Sequence, residues 1–199
     1  MDPYADIWAQ LAKKLPWQKT PEHLKLREKY WNAMDMNGNG YLSLAEVDKG
    51  MRDVVKLPLL FKTKPVLIRA FAAAKRKSVS RNRHDDELIT KGEFRYLLKY
   101  IRQYFEYWVM FDRIDTDDDR RIDFKEFKVA APKMAAWGLD MSDVKARWKE
   151  CDANGGGFVL FDEFCYWAIK NNLDLEDDDN FDAEVSEGEG TKPIEQQRK

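Results

Sequence analysis

Two histidines and two cysteines among 199 residues leave little material for several kinds of chemistry. His23 and His84 sit in polar stretches, too few for a His-based zinc site or a catalytic triad, and both are expected at the surface. Without a secretory leader, Cys151 and Cys165 are expected as reduced, half-buried thiols rather than as a disulfide. Long apolar runs are missing as well. A membrane helix needs about 20 apolar residues, and the richest stretch, Tyr100 to Phe111, is interrupted by Arg102, Gln103 and Glu106. The first residues lack the charged start and unbroken apolar core of a signal peptide. Asp2 stands where N-myristoylation takes glycine, and no cysteine nearby could be palmitoylated. These absences predict a soluble, intracellular, non-enzymatic protein with no constitutive lipid anchor, no nucleic-acid partner and no small-molecule substrate.

Charge is unevenly spread. Residues 174–190 carry nine acids and neither Lys nor Arg, so the body, residues 1–173, is net basic although the whole chain is at −2. So acidic a segment with so few apolar residues cannot bury a core, and 174–199 are expected to be a disordered tail.

The rest reads as helix after helix, separated by short Asp/Asn/Gly loops. Ile7, Trp8, Leu11 and Leu15 recur at helical spacing in a first helix ended by Pro16. Thr20-Pro21 supply a cap and a first-turn proline for a second, carrying Leu24, Tyr30, Trp31 and Met34. Leu44, Val47, Met51, Val54 and Val55 mark a third, and Thr63 with Pro65 begin a fourth through Leu67, Ile68, Phe71 and Ala74. Thr90 and Glu93 form a capping box opening a long helical region through Phe111. Further helices are expected at 124–137, kinked at Pro132 and stopped by Gly138, at 142–151 and at 161–171. The aromatic and methionine stripes are expected to pack a core rather than a ligand cavity.

The loops carry the chemistry. A 12-residue EF-hand loop wraps oxygens around a hard cation: side chains at positions 1, 3 and 5, a carbonyl at 7, often a water at 9, and a bidentate Glu at 12. Position 6 takes glycine because the turn there needs a positive φ. Asp35 to Glu46 fits throughout, with Asp35, Asn37 and Asn39 as first ligands, Gly40 at the turn, the Tyr41 carbonyl and the Glu46 carboxylate. Leu42 holds the eighth position, where paired hands form a short antiparallel bridge. Asp115 to Glu126 places Asp115, Asp117 and Asp119, the Arg121 carbonyl and Glu126 in the same roles, with Asp123 as a fifth acid. There Arg120 replaces the turn glycine, which costs roughly 1–2 kcal/mol of left-handed strain. Asp152 to Glu163 keeps Asp152, Asn154, the Phe158 carbonyl and Glu163, but Gly156 and Leu160 supply nothing at positions 5 and 9, so its occupancy stays open. Between Lys75 and Glu93 the spacing is expanded to 19 residues and the loop contains Lys75, Arg76, Lys77, Arg81 and Arg83, which would repel a cation. This hand is expected to be metal-free and structural, with Ile89 bridging to Leu42.

The predicted fold is therefore all-α: two EF-hand pairs in one compact body joined by short loop–loop β bridges. An N-terminal helix (1–20) precedes the first pair (21–100), the second pair (101–173) and the acidic tail. Segment 90–111 is shared between the pairs and should weld them together.

The pattern resembles the calflagin family, the flagellar calcium-binding EF-hand proteins of kinetoplastids, over roughly residues 7 to 175. The resemblance rests on Trp8 through Leu15-Pro16 and Lys19-Thr20, the basic expanded second hand, Phe105 to Asp115 (FEYWVMFDRID), and Glu126 to Gly138 with its Pro-Lys-x-x-Ala-Trp-Gly run. It implies a calcium sensor at flagellar membranes, its calcium held chiefly by the last two hands and its anchor an N-terminal acyl chain.

Calcium is the expected ion, with magnesium as a competitor. A sensor exposing an apolar surface to a protein target stands first, a calcium buffer of sarcoplasmic type second, and a calcium-triggered photoprotein remotely third. Lys75, Arg76, Lys77, Arg81 and Arg83, with Lys13, Lys14, Lys19, Lys25, Arg27 and Lys29, could also attract anionic lipid weakly.

Overall fold

The computed structural model describes residues 5–57, 60, 63–76 and 87–173. Eight helices and four two-residue strands alternate among them. Helix α1 covers Ala5–Lys14, α2 Pro21–Met34, α3 Leu44–Asp53 and α4 Lys64–Lys75. Helix α5 is the long Lys91–Ile114, followed by α6 Phe124–Ala136, α7 Val144–Cys151 and α8 Phe161–Lys170. Strand β1 (Tyr41–Leu42) pairs antiparallel with β2 (Ile89–Thr90), and β3 (Ile122–Asp123) with β4 (Phe158–Val159). Leu42 lies opposite Ile89 as the loop spacing predicts, so the expanded second hand keeps its bridge to the first.

Helix starts follow from their capping residues. The Thr20 hydroxyl accepts from the His23 N–H ahead of Pro21. Ser43, Thr90 and Asp123 each close a reciprocal capping box with the Glu three residues on. The Glu at position 12 of a hand is thus also the third residue of its trailing helix. His23 is half-buried rather than fully at the surface, because its Nδ1 accepts the Gln18 N–H at 3.1 Å. His84 lies outside the described residues.

One core runs through both pairs. Helix α5 makes this possible by burying apolar residues on several faces along its 24 residues. Its first half meets α2, where Trp31 packs edge-on against Phe94, and its second half meets α8, where Phe111 packs against Phe161 and Phe164. The boundary expected at 100/101 falls inside this helix. Phe111→Ala should cost about 3–5 kcal/mol, the usual range for a buried Phe. Helix α1 joins the same core through Leu11 and the Trp8–Phe105 pair, and Leu15 just after it does too. The linker after α1 is clamped, since Arg27 donates to the Pro16 and Gln18 carbonyls and Arg95 to that of Trp17.

Two members of the expected stripes are not in the core. Leu24 is 59% exposed and Ile68 52% exposed. The buried face of α4 is set by Val66, Leu67, Ala70, Phe71 and Ala74, which turns Ile68 outward. Leu24, in the first turn of α2, borders a surface cleft with Arg27, Trp31 and Phe94. Both cysteines are free thiols, fully rather than half-buried, and burial pushes their pKa values far up. No described helix is long and apolar enough to cross a membrane.

Candidate metal centre

The three short loops share one backbone. Asp35, Asp115 and Asp152 each form the C-cap of the preceding helix, and each carboxylate turns back to receive N–H groups from positions 5 and 6. In loop 1 these are Asn39 at 3.1 Å and Gly40 at 3.0 Å. In loop 3 they are Asp119 at 3.3 Å and Arg120 at 2.9 Å, and in loop 4 Gly156 at 2.9 Å and Gly157 at 3.1 Å. The side chain at position 3 receives the N–H at position 5 in all three. In loops 1 and 3 the side chain at position 5 receives the N–H at position 7, Tyr41 at 2.9 Å and Arg121 at 2.8 Å. Gly156 cannot do this, so loop 4 is less tied.

Position 6 is left-handed throughout: Gly40 at φ +81°, Arg120 at +67° and Gly157 at +79°. Position 4 is also left-handed, at Gly38, Asp118 and Gly155, a constraint the ligand pattern does not express. Two of those three positions are glycine, the one signal that could have revealed it. Loop 3 therefore holds two non-glycine residues in a conformation unfavourable to side chains.

The loops differ in how they satisfy the Glu at position 12. In loop 1 the Asn37 amide donates to Glu46 Oε1 at 3.1 Å, while Ser43 N–H and hydroxyl hold Oε2. Loop 4 repeats this with Asn154 and Glu163, its Oε2 held by the Leu160 N–H alone. Asp117 has no such proton to give. In loop 3, Glu126 Oε1 is held instead by the N–H and hydroxyl of Thr116, at 2.8 and 2.9 Å, and Oε2 by the Asp123 N–H. The result is an oxygen cluster in which Asp115, Asp117 and Glu126 each bring one ligand atom within 4.8 Å of the others. Burial pushes the Asp115 carboxyl above its ordinary range, with Glu126 and Asp119 adding repulsion, against the N–H groups of Arg120 and Asp119. Two unit charges 4.8 Å apart repel by roughly 3.5 kcal/mol at an effective dielectric near 20, and by more when closer. Such a donor set, all hard oxygens around a preformed turn, fits calcium.

Arg121 and Phe158 hold position 7 in the paired loops. The Arg121 guanidinium is 3.3 Å from Asp119 Oδ2 and sits over the Phe158 ring at 5.0 Å. This cation beside a candidate ligand was not foreseen from spacing, which assigns Arg121 only its carbonyl.

The second hand starts differently from the others. Helix α4 runs through Lys75, and its C-cap is Arg76, so the place of the first aspartate falls one residue later than expected and holds a cation. At its far end Glu93 closes the Thr90 capping box just as Glu46 and Glu126 close theirs, so it is the start of this hand that differs. Lys77, Arg81 and Arg83 lie outside the described residues.

Comparison with known proteins agrees with this architecture. The family model for the FCaBP EF-hand domain matches residues 11–101. The "Flagellar calcium-binding protein" of Trypanosoma cruzi is 36% identical over 173 residues, 86% of this chain and 82% of that one. Flagellar calcium-binding proteins TB-1.7G and TB-24 of Trypanosoma brucei brucei are each 35% identical, covering 87% and 84% of this chain and 78% of their own lengths. Calcium-loaded apo-aequorin from Aequorea victoria aligns with 74% of this chain and 90% of its own at 22% identity, with a TM-score of 0.29, too low to say anything about arrangement or function. The chain belongs to the flagellar calcium-binding protein family of EF-hand proteins.

Proposed function

We propose that the protein binds calcium at loops 1 and 3, more weakly at loop 4, and acts as a calcium sensor of the flagellum. The observation that carries the calcium reading is the oxygen cluster of Asp115, Asp117 and Glu126 in a loop already turned for a cation. Loop 1 supports it with Asp35, Asn37, Asn39, the Tyr41 carbonyl and Glu46, and loop 4 with Asp152, Asn154, the Phe158 carbonyl and Glu163. Bound calcium supplies the positive charge that offsets the carboxylates. In taking up that role Glu46 and Glu126 would release their present donors, Asn37 and Thr116, and each heads a trailing helix. That link between ligand and helix is what a sensor needs. The flagellar assignment extends the names of its relatives to this chain.

A buffer is the second reading, favoured by the single core through α5, which opposes separate opening of each pair. Calorimetric calcium titration with and without magnesium tests binding. Calcium-dependent retention on a phenyl matrix separates a sensor from a buffer, which would pass through unretained.

Contact with anionic lipid rests on Lys75 and Arg76 among the described residues, Lys77, Arg81 and Arg83 lying outside them. Of the helix cations, Lys14 donates to the Lys56 carbonyl and Arg27 clamps the α1–α2 linker. Sedimentation with phosphatidylserine vesicles at low salt tests it, and no sedimentation would end it.

A further inference from the structure

A groove of about 470 Å³ runs along the outer side of α4, where Ile68, Arg69, Ala72 and Arg76 recur at helical spacing and Tyr104 of α5 lines the far wall. Asp162, in the first turn of α8, borders it through a 2.6 Å ion pair with Arg69. Asp162, Tyr166 and Ile169 follow one another at i, i+4 and i+7 and so share one face of α8. Tyr166 is 67% exposed and Ile169 45% exposed on it. An apolar stripe therefore leads from the end of α8 back to a groove bearing two arginines.

Leu173, buried at that end of α8, is the last described residue, and residues 174–199 set out from there. Their first part, 174–190, has nine acids and no Lys or Arg, with Leu175, Phe181 and Val185 among them. Its composition complements the stripe and the groove together. We propose that segment 174–190 folds back along α8 and covers this groove, its apolar residues on Tyr166, Ile169 and Ile68 and its carboxylates toward Arg69 and Arg76.

Reach permits it. The ten residues of α8 span about 15 Å at 1.5 Å per residue, whereas the segment can extend to about 55 Å. Tethering also helps, because a short linker holds the segment at a local concentration in the millimolar range. Arg69 is already partly neutralised by Asp162, so Arg76 is the stronger anchor. The attraction is between exposed charges and must weaken as salt shortens the Debye length. Covering the groove would withhold Ile68, Tyr166 and Ile169 from other partners until one of them displaced the segment.

The test uses the full chain with a nitroxide at Glu187→Cys, the buried native thiols being shielded from labelling. Amide resonances of Ile68–Arg76 and Tyr166–Ile169 should lose most of their intensity at low salt. They should regain it at about 1 M salt, where the Debye length falls to about 3 Å. Arg76→Glu should restore the same signals while leaving the Arg69–Asp162 pair intact, and Arg69→Glu should do so if that variant folds. Labelled chain mixed with isotopically enriched, unlabelled chain should show no broadening. Broadening in that mixture would instead mean a second copy is bound, and would overturn the intramolecular arrangement. Even broadening over the whole surface, or none at low salt, would overturn the proposal, as would unchanged broadening in Arg76→Glu.

Discussion

In loop 1 the turn residue is Gly40 and two of the first ligands are amides; in loop 3 the turn residue is Arg120 and the matching ligands are carboxylates. Both loops nevertheless form the same hydrogen-bond ring, from position 1 to the N–H groups at 5 and 6 and from 5 to 7. They reach it by different routes. Loop 1 is relaxed without a cation, because Gly40 accepts the turn and the Asn37 amide neutralises one lone pair of Glu46. Loop 3 holds Asp118 and Arg120 in the left-handed region and crowds Asp115, Asp117 and Glu126 together. Its gain on neutralisation is larger, and so is its strain before it. Two sites of similar strength could arise from opposite balances, which the following experiments pull apart.

The largest effect should come from the closing carboxylates. Glu46→Gln and Glu126→Gln should each remove one ion from a calorimetric titration, since an amide offers one neutral oxygen where two charged ones stood. Neither should unfold the protein, because Gln at the third helical residue still serves a capping box. In chelator the two variants should diverge. Glu126→Gln relieves repulsion from both Asp115 and Asp117 and should raise the melting temperature, whereas Glu46→Gln relieves repulsion from Asp35 alone and should leave it level or slightly lower. Unchanged stoichiometry in Glu46→Gln would remove loop 1 from the binding set, and equal melting shifts would refute the contrast in charge.

Next in size are the turn residues. Arg120→Gly should stabilise the calcium-free protein by roughly 1 kcal/mol, the left-handed strain the turned loop already carries, and should tighten calcium by removing a positive charge beside it. Gly40→Ala should lower thermal stability by a similar amount. An added Cβ at Gly40 meets nothing within 4 Å, so the backbone strain acts alone there. The Arg120 N–H to Asp115 survives replacement by glycine, because it is a main-chain bond. Weaker calcium binding in Arg120→Gly would mean that its side chain supports the loop.

A third comparison is in the helices flanking loop 1. A Cβ at Gly50 of α3 would come within 2.5 Å of Met34 Cγ and Sδ at the end of α2. Met34 is flexible, so Gly50→Ala should cost near the lower end of the 1–3 kcal/mol typical of overpacking. Four residues past Glu126, the matching position of hand 3 already holds a buried Ala130, so Ala130→Gly should cost roughly 1–2 kcal/mol, helix propensity plus one buried methyl. Urea denaturation of both variants measures the difference.

Much of this was readable from spacing alone. The loop positions, the Leu42–Ile89 register and the Thr90 capping box all depend on local chemistry at fixed offsets, which a sequence displays directly. The spacing did not show that Ser43 and Asp123 repeat that capping box, although Ser-x-x-Glu and Asp-x-x-Glu carry the same signature. Leu24 and Ile68 were misplaced because helical period fixes a face but not which face a neighbouring helix covers. The Arg69–Asp162 pair joins residues 93 apart, and no local pattern could announce it. Nor could spacing show that Thr116 holds Glu126, since position 2 has no assigned role in the ligand set.

The smallest expected effect concerns Arg121, which has no cationic counterpart in loop 1, where Tyr41 holds the same position. Its guanidinium sits 3.3 Å from Asp119 Oδ2, so a tethered cation competes for a candidate ligand. The pair is about half exposed, which limits its value to about 0.2–1 kcal/mol. Asp119 Oδ1 also receives the Arg121 N–H at 2.8 Å, and that main-chain bond persists when the guanidinium is removed. Removal of charge should therefore outweigh loss of positioning. Arg121→Gln is expected to tighten loop 3 by less than about fivefold, the factor that 1 kcal/mol allows. Arg121→Lys keeps the charge and should leave affinity near the parent value, although it loses planar stacking on Phe158, worth about 0.5–1 kcal/mol at an exposed site. Titrations should be made with Glu46→Gln as background, so that loop 1 does not contribute. If Arg121→Gln binds calcium more weakly than its parent, the guanidinium positions Asp119 instead of competing for it, and the two loops differ by one contact more than charge and turn residue explain.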